Sequence, residues 1–333
     1  MVVSFILVAL NEARTLPASK THLDRLSVPS GFSIETLLID GGSADGTAEL
    51  AARLGFSRIF VLPGASIPLC RNEGLREARG EWIAFLDADC LIQPDWLTRA
   101  APLMLKHRPL VLGWPAEPPT PRTWVQEAWY LHWTNKNPAF EDESGEPVVK
   151  REGFRLITTR NMILHREVAE KLGGFDETLA TGEDTDFVFR AHMSGIPCWG
   201  LPAMRAVHLG EPATLRAFFR QQVWHANRRA YQTIFRKSGM KIGGNAPLFT
   251  LIFVALFALM AGGAIATWWH PRAAWLIATL PLFLLSLAAR TCARAKRWTM
   301  IPALAILYGA YGVARSLDLF GLSPRKVSWK TRR

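Results

Sequence analysis

Two aspartates stand one residue apart, directly after a short apolar run. Residues 82–86 have the length and composition of a buried strand, and Asp87 and Asp89 follow them. Two carboxylates at this spacing project from a strand end to the same side, where their mutual repulsion requires a cation. Oxygen ligands of this kind suit a hard divalent ion, above all when phosphate oxygens complete its shell. The pair therefore predicts a metal site.

Polar residues also follow two earlier apolar runs. Asn11 and Glu12 come after the first run, and a segment that begins with Asp40 comes after the second. Later in that segment, Asp45 and Thr47 have a simpler interpretation as caps of the next helix. If the runs are neighbouring strands, the other side chains converge with the two aspartates on one crevice.

Four short apolar runs alternate with helix-like stretches over the first ninety residues. They cover residues 2–10, 36–39, 58–62 and 82–86. This alternation predicts an α/β fold built from parallel βαβ units, with helices on both faces, because strands that are apolar at every position cannot face water. In such sheets ligands bind at the carboxyl ends of the strands. The polar residues stand at those ends.

Charge is divided unevenly along the chain of 333 residues. Residues 1–204 carry 20 lysines and arginines against 26 acidic residues, whereas residues 205–333 carry 19 against two. The cations of the second part flank long apolar runs, which favours an anionic membrane surface over nucleic acid as a partner. The four cysteines are scattered without a C-x-x-C pair, so neither a zinc knuckle nor a disulfide framework is indicated.

Four ordered sequence blocks resemble the family 2 inverting glycosyltransferases of the GT-A fold. They are FILVALNE at 5–12, IDGGSADGT at 39–47, the stretch from RNEGL at 71–75 to FLDAD at 85–89, and a later block containing GGFDE at 173–177 and GEDTD at 182–186. The resemblance covers roughly residues 2–210. It implies a GT-A catalytic domain, a nucleotide-sugar donor and a divalent metal, Mg²⁺ or Mn²⁺. The donor in this family is usually a UDP-sugar, although GDP donors occur.

The resemblance assigns four residues to the donor. Asp40 would contact the nucleotide base, and Arg71 would lie near the base or the diphosphate. Asn11 and Glu12 would line the same site. Many relatives carry a second acidic residue where this chain has Gly41, so the choice of base stays open.

Three residues are assigned to the metal or its surroundings. By resemblance, Asp89 would bind the ion directly, and Asp87 would serve the ribose or a metal-bound water. His208 follows a short strand at a position where relatives often carry a histidine, in some cases as an extra metal ligand. A lone histidine also fits a structural role.

An acidic pair provides candidates for the general base. An attacking hydroxyl must lose its proton, and a carboxylate on the far side of the sugar can accept it. By resemblance Asp184 would be this base and Glu183 would orient the acceptor, with the reverse assignment left open. The same residues also fit the acid-rich start of a helix, which the helix dipole favours. The two interpretations are compatible.

Three uncharged runs lie in the C-terminal part, at residues 247–269, 273–289 and 300–314. The first can cross the ~30 Å hydrocarbon layer, and with the second it predicts a transmembrane hairpin. The third run is short, and basic residues flank it on both sides. The positive-inside rule places both flanks in the cytoplasm, but a single crossing would put them on opposite sides of the membrane. From the resemblance we expect a third crossing, with an interfacial or re-entrant segment as the alternative.

A further segment precedes the hairpin. Apolar residues recur at helical spacing between 215 and 235, with arginines around the rest of the helix. This pattern is typical of a helix in the headgroup layer, or of an amphipathic helix packed on the catalytic domain. The predicted organisation is a catalytic domain at 1–210, an amphipathic helix or linker at 211–245, a membrane region at 246–318 and a basic tail at 319–333.

Together these features predict a metal-dependent inverting glycosyltransferase of the hexosyltransferase type. It would be anchored in a bacterial-type inner membrane with its catalytic domain facing the cytoplasm, and its acceptor would be a hydroxyl of a lipid or an envelope glycan. Residues 103–156, which are rich in tryptophan, are where we expect acceptor choice to lie. The alternatives are a nucleotidyltransferase or other nucleotide-binding α/β enzyme, and a non-catalytic membrane scaffold or transporter.

Overall fold

The computed structural model describes residues 1–134, 148–179, 181–226 and 245–322. The strands are β1 (Val2–Ala9), β2 (Ser33–Asp40), β3 (Arg58–Val61), β4 (Trp82–Asp87), β5 (Cys90–Ile92), β6 (Val111–Gly113), β7 (Asn161–His165), β8 (Cys198–Gly200) and β9 (Ala206–His208). The helices are α1 (Leu16–Asp24), α2 (Thr47–Arg53), α3 (Ile67–Glu77), α4 (Trp96–Lys106), α5 (Trp124–Thr134), α6 (Arg166–Leu172), α7 (Glu183–Met193), α8 (Leu215–His225), α9 (Asn245–Ala266), α10 (Thr279–Ala295) and α11 (Ile301–Leu319).

Seven strands form one mixed sheet in the order β3-β2-β1-β4-β7-β6-β8, and β5 pairs with β9 in a separate ribbon. The first four strands are parallel, as predicted. β7 runs antiparallel between β4 and β6, so the sheet is mixed rather than wholly parallel. β2 begins three residues before the predicted run, because Ser33, Ile34 and Glu35 already pair with β1.

Both faces of the sheet are buried, as the apolar strands require. Along β1, Phe5 and Leu7 belong to one hydrophobic cluster, whereas Ile6 and Val8 belong to a second cluster on the opposite face. Successive side chains of a strand point to opposite faces, so a strand that is apolar throughout needs a layer on each side. The core thereby fixes the strand ends from which the polar residues project.

Asn161, at the start of β7, is a structural residue of this core. It is fully buried. Its side-chain oxygen accepts a hydrogen bond from the Trp96 indole at 2.7 Å. Its amide nitrogen donates to the carbonyl oxygens of Trp114 at 3.0 Å and Met204 at 2.6 Å. The residue thus ties α4, β7 and the segment before β9 together.

Replacing Asn161 by alanine is expected to lower the free energy of unfolding by about 3 kcal/mol, because it leaves three buried polar groups without a partner. Chemical denaturation of the purified variant would measure the loss. An Asn161→Ala protein as stable as the parent would contradict the structural role.

The C-terminal helices pack against α5 and α8 through a third hydrophobic cluster. Phe218 of α8 and Trp129 of α5 lie in this cluster with Ala288 of α10 and Leu304 of α11. Within the part of the chain that the structure describes, three segments are long and apolar enough to cross a membrane by length and composition: Leu248–Ala266, Pro271–Ala295 and Trp298–Leu319. The third is thus longer than the predicted run of 300–314.

α8 covers the first half of the predicted amphipathic segment. Phe218 and Gln222 are buried, while Arg216 and Arg220 are exposed. Over these residues the apolar face packs on α5 and on the C-terminal helices. The part of the segment at 227–244 lies outside the described residues.

Candidate active site

The carboxyl ends of three neighbouring strands are aligned at one edge of the sheet. Ala9 of β1 pairs with Asp40 of β2, and Val8 of β1 pairs with Asp87 of β4. The polar residues that follow these strands therefore share one edge, as the sequence predicts. This edge is the candidate active site.

Hydrogen bonds join the loops after β1 and β2. The Asn11 amide donates to Ser43 Oγ at 2.7 Å, and the Ala44 amide donates to Asn11 Oδ1 at 2.9 Å. Asn11 itself adopts a positive φ of 58°, a conformation that asparagine tolerates better than most residues. The Glu12 amide donates to Thr47 Oγ1 at 2.9 Å. Asn11 and Glu12 thus lie at the predicted edge and hold the second loop in place.

Neither Asp45 nor Thr47 is the N-cap of α2 that the sequence pattern predicts, because Gly46 occupies that position without a side-chain cap hydrogen bond. The Asp45 carboxylate accepts from the Ala13 amide at 3.0 Å and from the Thr47 amide at 3.2 Å. Burial acts to raise the pKa of Asp45, but hydrogen bonds from the Thr47 hydroxyl and from the Ala13 and Thr47 amides outweigh it, and the pKa is lowered. The carboxylate joins the two loops at the start of α2.

Asp40 is fully buried at the end of β2. Its Oδ1 accepts from the amides of Gly42 at 2.7 Å and Ser43 at 2.6 Å. Its Oδ2 is buried without a hydrogen-bond partner among the described residues. A buried acceptor without a donor is costly, and such an atom is a candidate for contact with a ligand. A Cβ at Gly42 would lie 2.8 Å from Pro63 Cα, so this turn has no room for a side chain.

Arg71, on α3, connects two parts of the predicted site. Its guanidinium forms an ion pair with Glu183 and lies 3.7 Å from the carboxylate of Asp87. Burial disfavours the charged guanidinium, but the carboxylates of Glu183, Asp87 and Asp184 outweigh this and raise the pKa of Arg71. The acidic pair at the start of α7 is therefore brought to the end of β4, although the two lie almost one hundred residues apart.

The two members of the acidic pair differ in their surroundings. Glu183 is buried against Arg71, and burial raises its pKa, which Arg71 opposes and Asp184 reinforces. Asp184 is only partly buried, and its Oδ1 accepts from the Thr185 amide at 2.7 Å. The carboxylate of Glu183 is thus engaged in an ion pair, whereas Asp184 is the more accessible of the two at the helix start.

Asp89 and His208 form the second centre of the site. The ribbon of β5 and β9 places them together, because Cys90 pairs with His208 and the Leu209 amide donates to the Asp89 carbonyl. His208 Nε2 lies 3.2 Å from Asp89 Oδ1, and both side chains are buried. Burial disfavours the imidazolium, but the carboxylates around it raise the pKa of His208 to about 9.

Two residues that the sequence analysis did not assign support His208. Its Nδ1 donates to Glu211 Oε1 at 2.9 Å, and Glu211 in turn forms an ion pair with Arg160. Arg160 also interacts electrostatically with Asp87 and Asp184, and these carboxylates, together with Glu211, raise its pKa against the effect of burial. The only sequence signals were a basic residue immediately before β7 and an acidic residue three positions after the histidine.

The donor set around Asp89 fits a divalent cation. Ligand atoms of Asp89, Cys90 and His208 lie within 4.8 Å of one another. Burial and the nearby Asp89 and Asp87 carboxylates raise the pKa of the Cys90 thiol well above its usual value. The Asp89 carboxylate suits Mg²⁺ or Mn²⁺, and His208 would add a nitrogen donor on loss of its Nε2 proton, because a ligating histidine must be neutral. Asp87 is outside this group and lies against Arg71 instead.

The model of the family described as "Glycosyl transferase family 2" matches residues 4–173 of the chain. Among proteins with curated names, the chain is 25% identical over 245 residues to the glycosyltransferase AglE of Haloferax volcanii, covering 70% of this chain and 77% of that protein. It is 29% identical over 184 residues to the succinoglycan biosynthesis protein ExoM of Rhizobium meliloti, covering 52% of this chain and 56% of that protein. Matches with some other relatives cover only about a quarter of those proteins.

Solved structures share the fold. The mannosyltransferase PcManGT of Pyrobaculum calidifontis, solved with GDP-Man and Mn²⁺, aligns with a TM-score of 0.59 at 17% identity, over 95% of this chain and 87% of that one. Residues 1–349 of TarS from S. aureus, solved with UDP-GlcNAc, align with a TM-score of 0.50 at 15% identity, over 96% and 92% of the two chains.

The family match covers half of the chain and contains β1, β2 and β4 with the polar residues at their ends. The family match supports a glycosyltransferase over the alternatives that the sequence left open, which were a nucleotidyltransferase or other nucleotide-binding α/β enzyme and a non-catalytic membrane scaffold or transporter. The chain belongs to glycosyltransferase family 2, and it is a glycosyltransferase with a GT-A catalytic domain followed by three apolar helices.

Proposed function

We propose that this enzyme transfers a sugar, with inversion at the anomeric carbon, from a UDP-sugar to a hydroxyl of a lipid or an envelope glycan. The observation that carries the proposal is the convergence of two centres on one edge of the sheet. One centre is Asp89 with His208, and the other is Asp184 beside the ion pair of Arg71 and Glu183. Transfer of this kind needs a charge-neutralising centre for the leaving group and a base for the nucleophile.

The donor is assigned to the joined loops after β1 and β2. Asp40 Oδ2, which is buried without a partner among the described residues, is the acceptor that we assign to an N–H group of the nucleotide base. Asn11 and Glu12 hold the loop that would close over the nucleoside. Arg71 is the cation assigned to the diphosphate side of the donor, next to Asp87, whose carboxylate we assign to the ribose or a metal-bound water.

Asp89 and His208 are the residues that would hold Mg²⁺ or Mn²⁺. When bound, such an ion neutralises the negative charge that develops on the departing diphosphate. Arg160, which is fixed by Glu211 and interacts with Asp87 and Asp184, supplies a second positive charge beside these carboxylates. A buried arginine held in this way is preorganised toward a phosphate.

Asp184 is assigned as the general base. It accepts the proton of the acceptor hydroxyl while that oxygen forms a bond to the anomeric carbon, and the bond from this carbon to the diphosphate oxygen breaks. Attack from the face opposite to the leaving group inverts the configuration. The ion pair with Arg71 occupies Glu183, which supports Asp184 over Glu183 in this role.

The membrane part of the proposal rests on the three apolar helices and on the charge distribution. Trp268 and Trp269, between the first two of these segments, are 87% and 72% exposed, as aromatic residues at a membrane interface are. We propose anchoring in a bacterial-type inner membrane with the catalytic domain in the cytoplasm. An active site held at that surface suits a lipid-linked acceptor.

Donor binding can be tested with the purified full chain in detergent. UDP-, GDP- and dTDP-sugars are added with Mn²⁺, and the melting temperature is measured. A ligand at one hundred times its Kd stabilises the folded state by about 2.7 kcal/mol. We expect stabilisation by UDP-sugars, followed by transfer of a sugar label, but not a phosphate label, to a lipid extract. Failure of every nucleotide sugar to bind would contradict the proposal.

Glu211→Gln is expected to weaken Mn²⁺ binding by ~10–100-fold, because a ligating histidine depends on the partner of its other nitrogen for orientation and basicity. Mn²⁺ affinity is measured by electron paramagnetic resonance. The matched control is Glu117→Gln, whose carboxylate pairs with Arg122 and Arg205 rather than with the imidazole of His208. Equal Mn²⁺ affinity in the Glu211→Gln and parent proteins would rule out this supporting role.

A further inference from the structure

Contacts with the α/β part hold both ends of the third apolar helix, α11. Just before the helix, Arg297 Nη2 lies 2.9 Å from Glu127 Oε1 of α5. Near its C-terminal end, Arg315 donates to the His225 carbonyl at 2.6 Å and to Gln222 Oε1 at 3.3 Å. Between these points, the hydroxyl of Tyr308 lies 3.0 Å from His132 Nδ1. Contacts with α5 and α8 thus extend along most of the helix.

The distance between the two anchored ends is large. Arg297 and Arg315 are 18 positions apart, which corresponds to about 27 Å of helix. That is close to the ~30 Å of a hydrocarbon layer. If α11 crossed the bilayer, α5 and α8 would have to accompany it through most of that thickness.

α5 and α8 are not suited to that position. Gln126 of α5 donates to the carbonyl of Glu211, which lies in the candidate active site. α8 begins four residues after Glu211 and exposes Arg216 and Arg220. Exposed arginines in hydrocarbon are costly, and a solvent-accessible active site cannot follow a helix into it. Both helices therefore remain on the side of the catalytic domain.

We infer that α11 does not cross the membrane but lies along its surface on the side of the catalytic domain, with one face in contact with lipid. Its inner face, which includes Leu304 and Leu307, packs in the third cluster. On its outer side, Ile306 and Val313 are 51% and 43% exposed. This outer face is apolar, and its partner is an anionic lipid surface.

Charge and neighbouring residues support a lipid partner. Arg290, Arg294 and Lys296 are exposed before α11, and Trp298 at its start is 59% exposed. Cations beside an apolar face with an interfacial tryptophan are typical of helices bound to anionic headgroups. With α11 at the surface, the cations before it and Arg315 near its end lie on one side of the membrane, which satisfies the positive-inside rule.

α11 also connects the predicted hairpin to the catalytic domain. A Cβ at Gly312 would lie 2.3 Å from the ring of Phe253, so α9 packs directly on the backbone of α11. The hydroxyls of Thr291, on α10, and Tyr308 are 3.1 Å apart. α11 is therefore a platform that holds the active site against the bilayer while α9 and α10 form the anchor.

The inference rests on the proposed membrane anchoring. Cysteine labelling tests the position of α11 and the anchoring separately. The four native cysteines are buried, so His270→Cys, Lys296→Cys and Leu322→Cys each add an exposed thiol to the full chain, with the parent as background control. Intact cells are treated with a membrane-impermeant maleimide before and after permeabilisation. We expect labelling of His270→Cys in intact cells, and of Lys296→Cys and Leu322→Cys only after permeabilisation.

Labelling of Leu322→Cys in intact cells would overturn the inference, because the end of α11 would then be on the far side. Absence of His270→Cys labelling in intact cells would contradict the anchoring hairpin instead. A green fluorescent protein fused to the C-terminus provides a second reading that does not depend on the substituted residues. It should be fluorescent if α11 stays on the cytoplasmic side and dark if α11 crosses.

Discussion

Replacing Asp184 by asparagine is expected to reduce sugar transfer by ~10²–10⁴-fold, the contribution of a positioned general base. The substitution keeps the shape of the side chain and its hydrogen bond from the Thr185 amide, but it removes the group that accepts the proton. Donor affinity should remain near that of the parent. Initial rates at saturating donor and a titration of donor against Mn²⁺-loaded protein measure the two quantities.

Glu183→Gln serves as the comparison for this prediction. It removes the negative partner of the buried Arg71, so we expect weaker donor binding and lower stability in addition to slower transfer. The general base is the residue whose variant binds donor normally but no longer transfers the sugar. If Asp184→Asn turned over like the parent while Glu183→Gln lost only turnover, the assignments would have to be exchanged.

Asp89→Asn is expected to abolish measurable Mn²⁺ binding and transfer together. The carboxylate is the negative partner of His208 at 3.2 Å, and the neutral amide is a poor ligand for a hard cation. The loss of Mn²⁺ affinity should exceed the ~10–100-fold loss expected when a residue that only supports a metal ligand, such as Glu211, is replaced. Metal titration and turnover with excess Mn²⁺ are measured on the same preparation.

The control for this variant is Asp95→Asn. Asp95 is also acidic and lies nearby in sequence, but it pairs with Arg99 on the surface of α4. Its Mn²⁺ affinity and turnover should equal those of the parent. Persistence of metal-dependent transfer in Asp89→Asn would remove Asp89 from the metal site.

The positions of β1, β2, β3 and β4, and of the polar residues after β1, β2 and β4, were predictable from sequence, because a buried parallel sheet requires continuous apolar runs and places ligands at one edge. Asp40, Asp87 and Asp89 follow such runs directly, so local pattern is sufficient to place them. The antiparallel direction of β7 was not predictable in the same way. A short apolar run does not indicate whether the strand will pair parallel or antiparallel to its neighbours.

Contacts between distant parts of the chain could not be predicted from the local sequence pattern. Arg160 and Glu211 lie in segments with little distinctive spacing, and only the fold brings them to His208 and Asp87. The difference in environment between Glu183 and Asp184 likewise depends on an ion pair with Arg71, which lies more than one hundred residues earlier in the chain. For α11, hydropathy indicates an apolar helix, but it does not show which residues contact the two ends of that helix.

The most direct test of the account is the position of a bound Mn²⁺ ion. Crystals of the protein grown with Mn²⁺ and UDP are measured at a wavelength where manganese scatters anomalously. We predict one strong peak within ligand distance of Asp89 and His208, with the diphosphate beside it and the base toward Asp40. A peak elsewhere, or a nucleotide bound away from the carboxyl ends of β1, β2 and β4, would contradict the proposed active site.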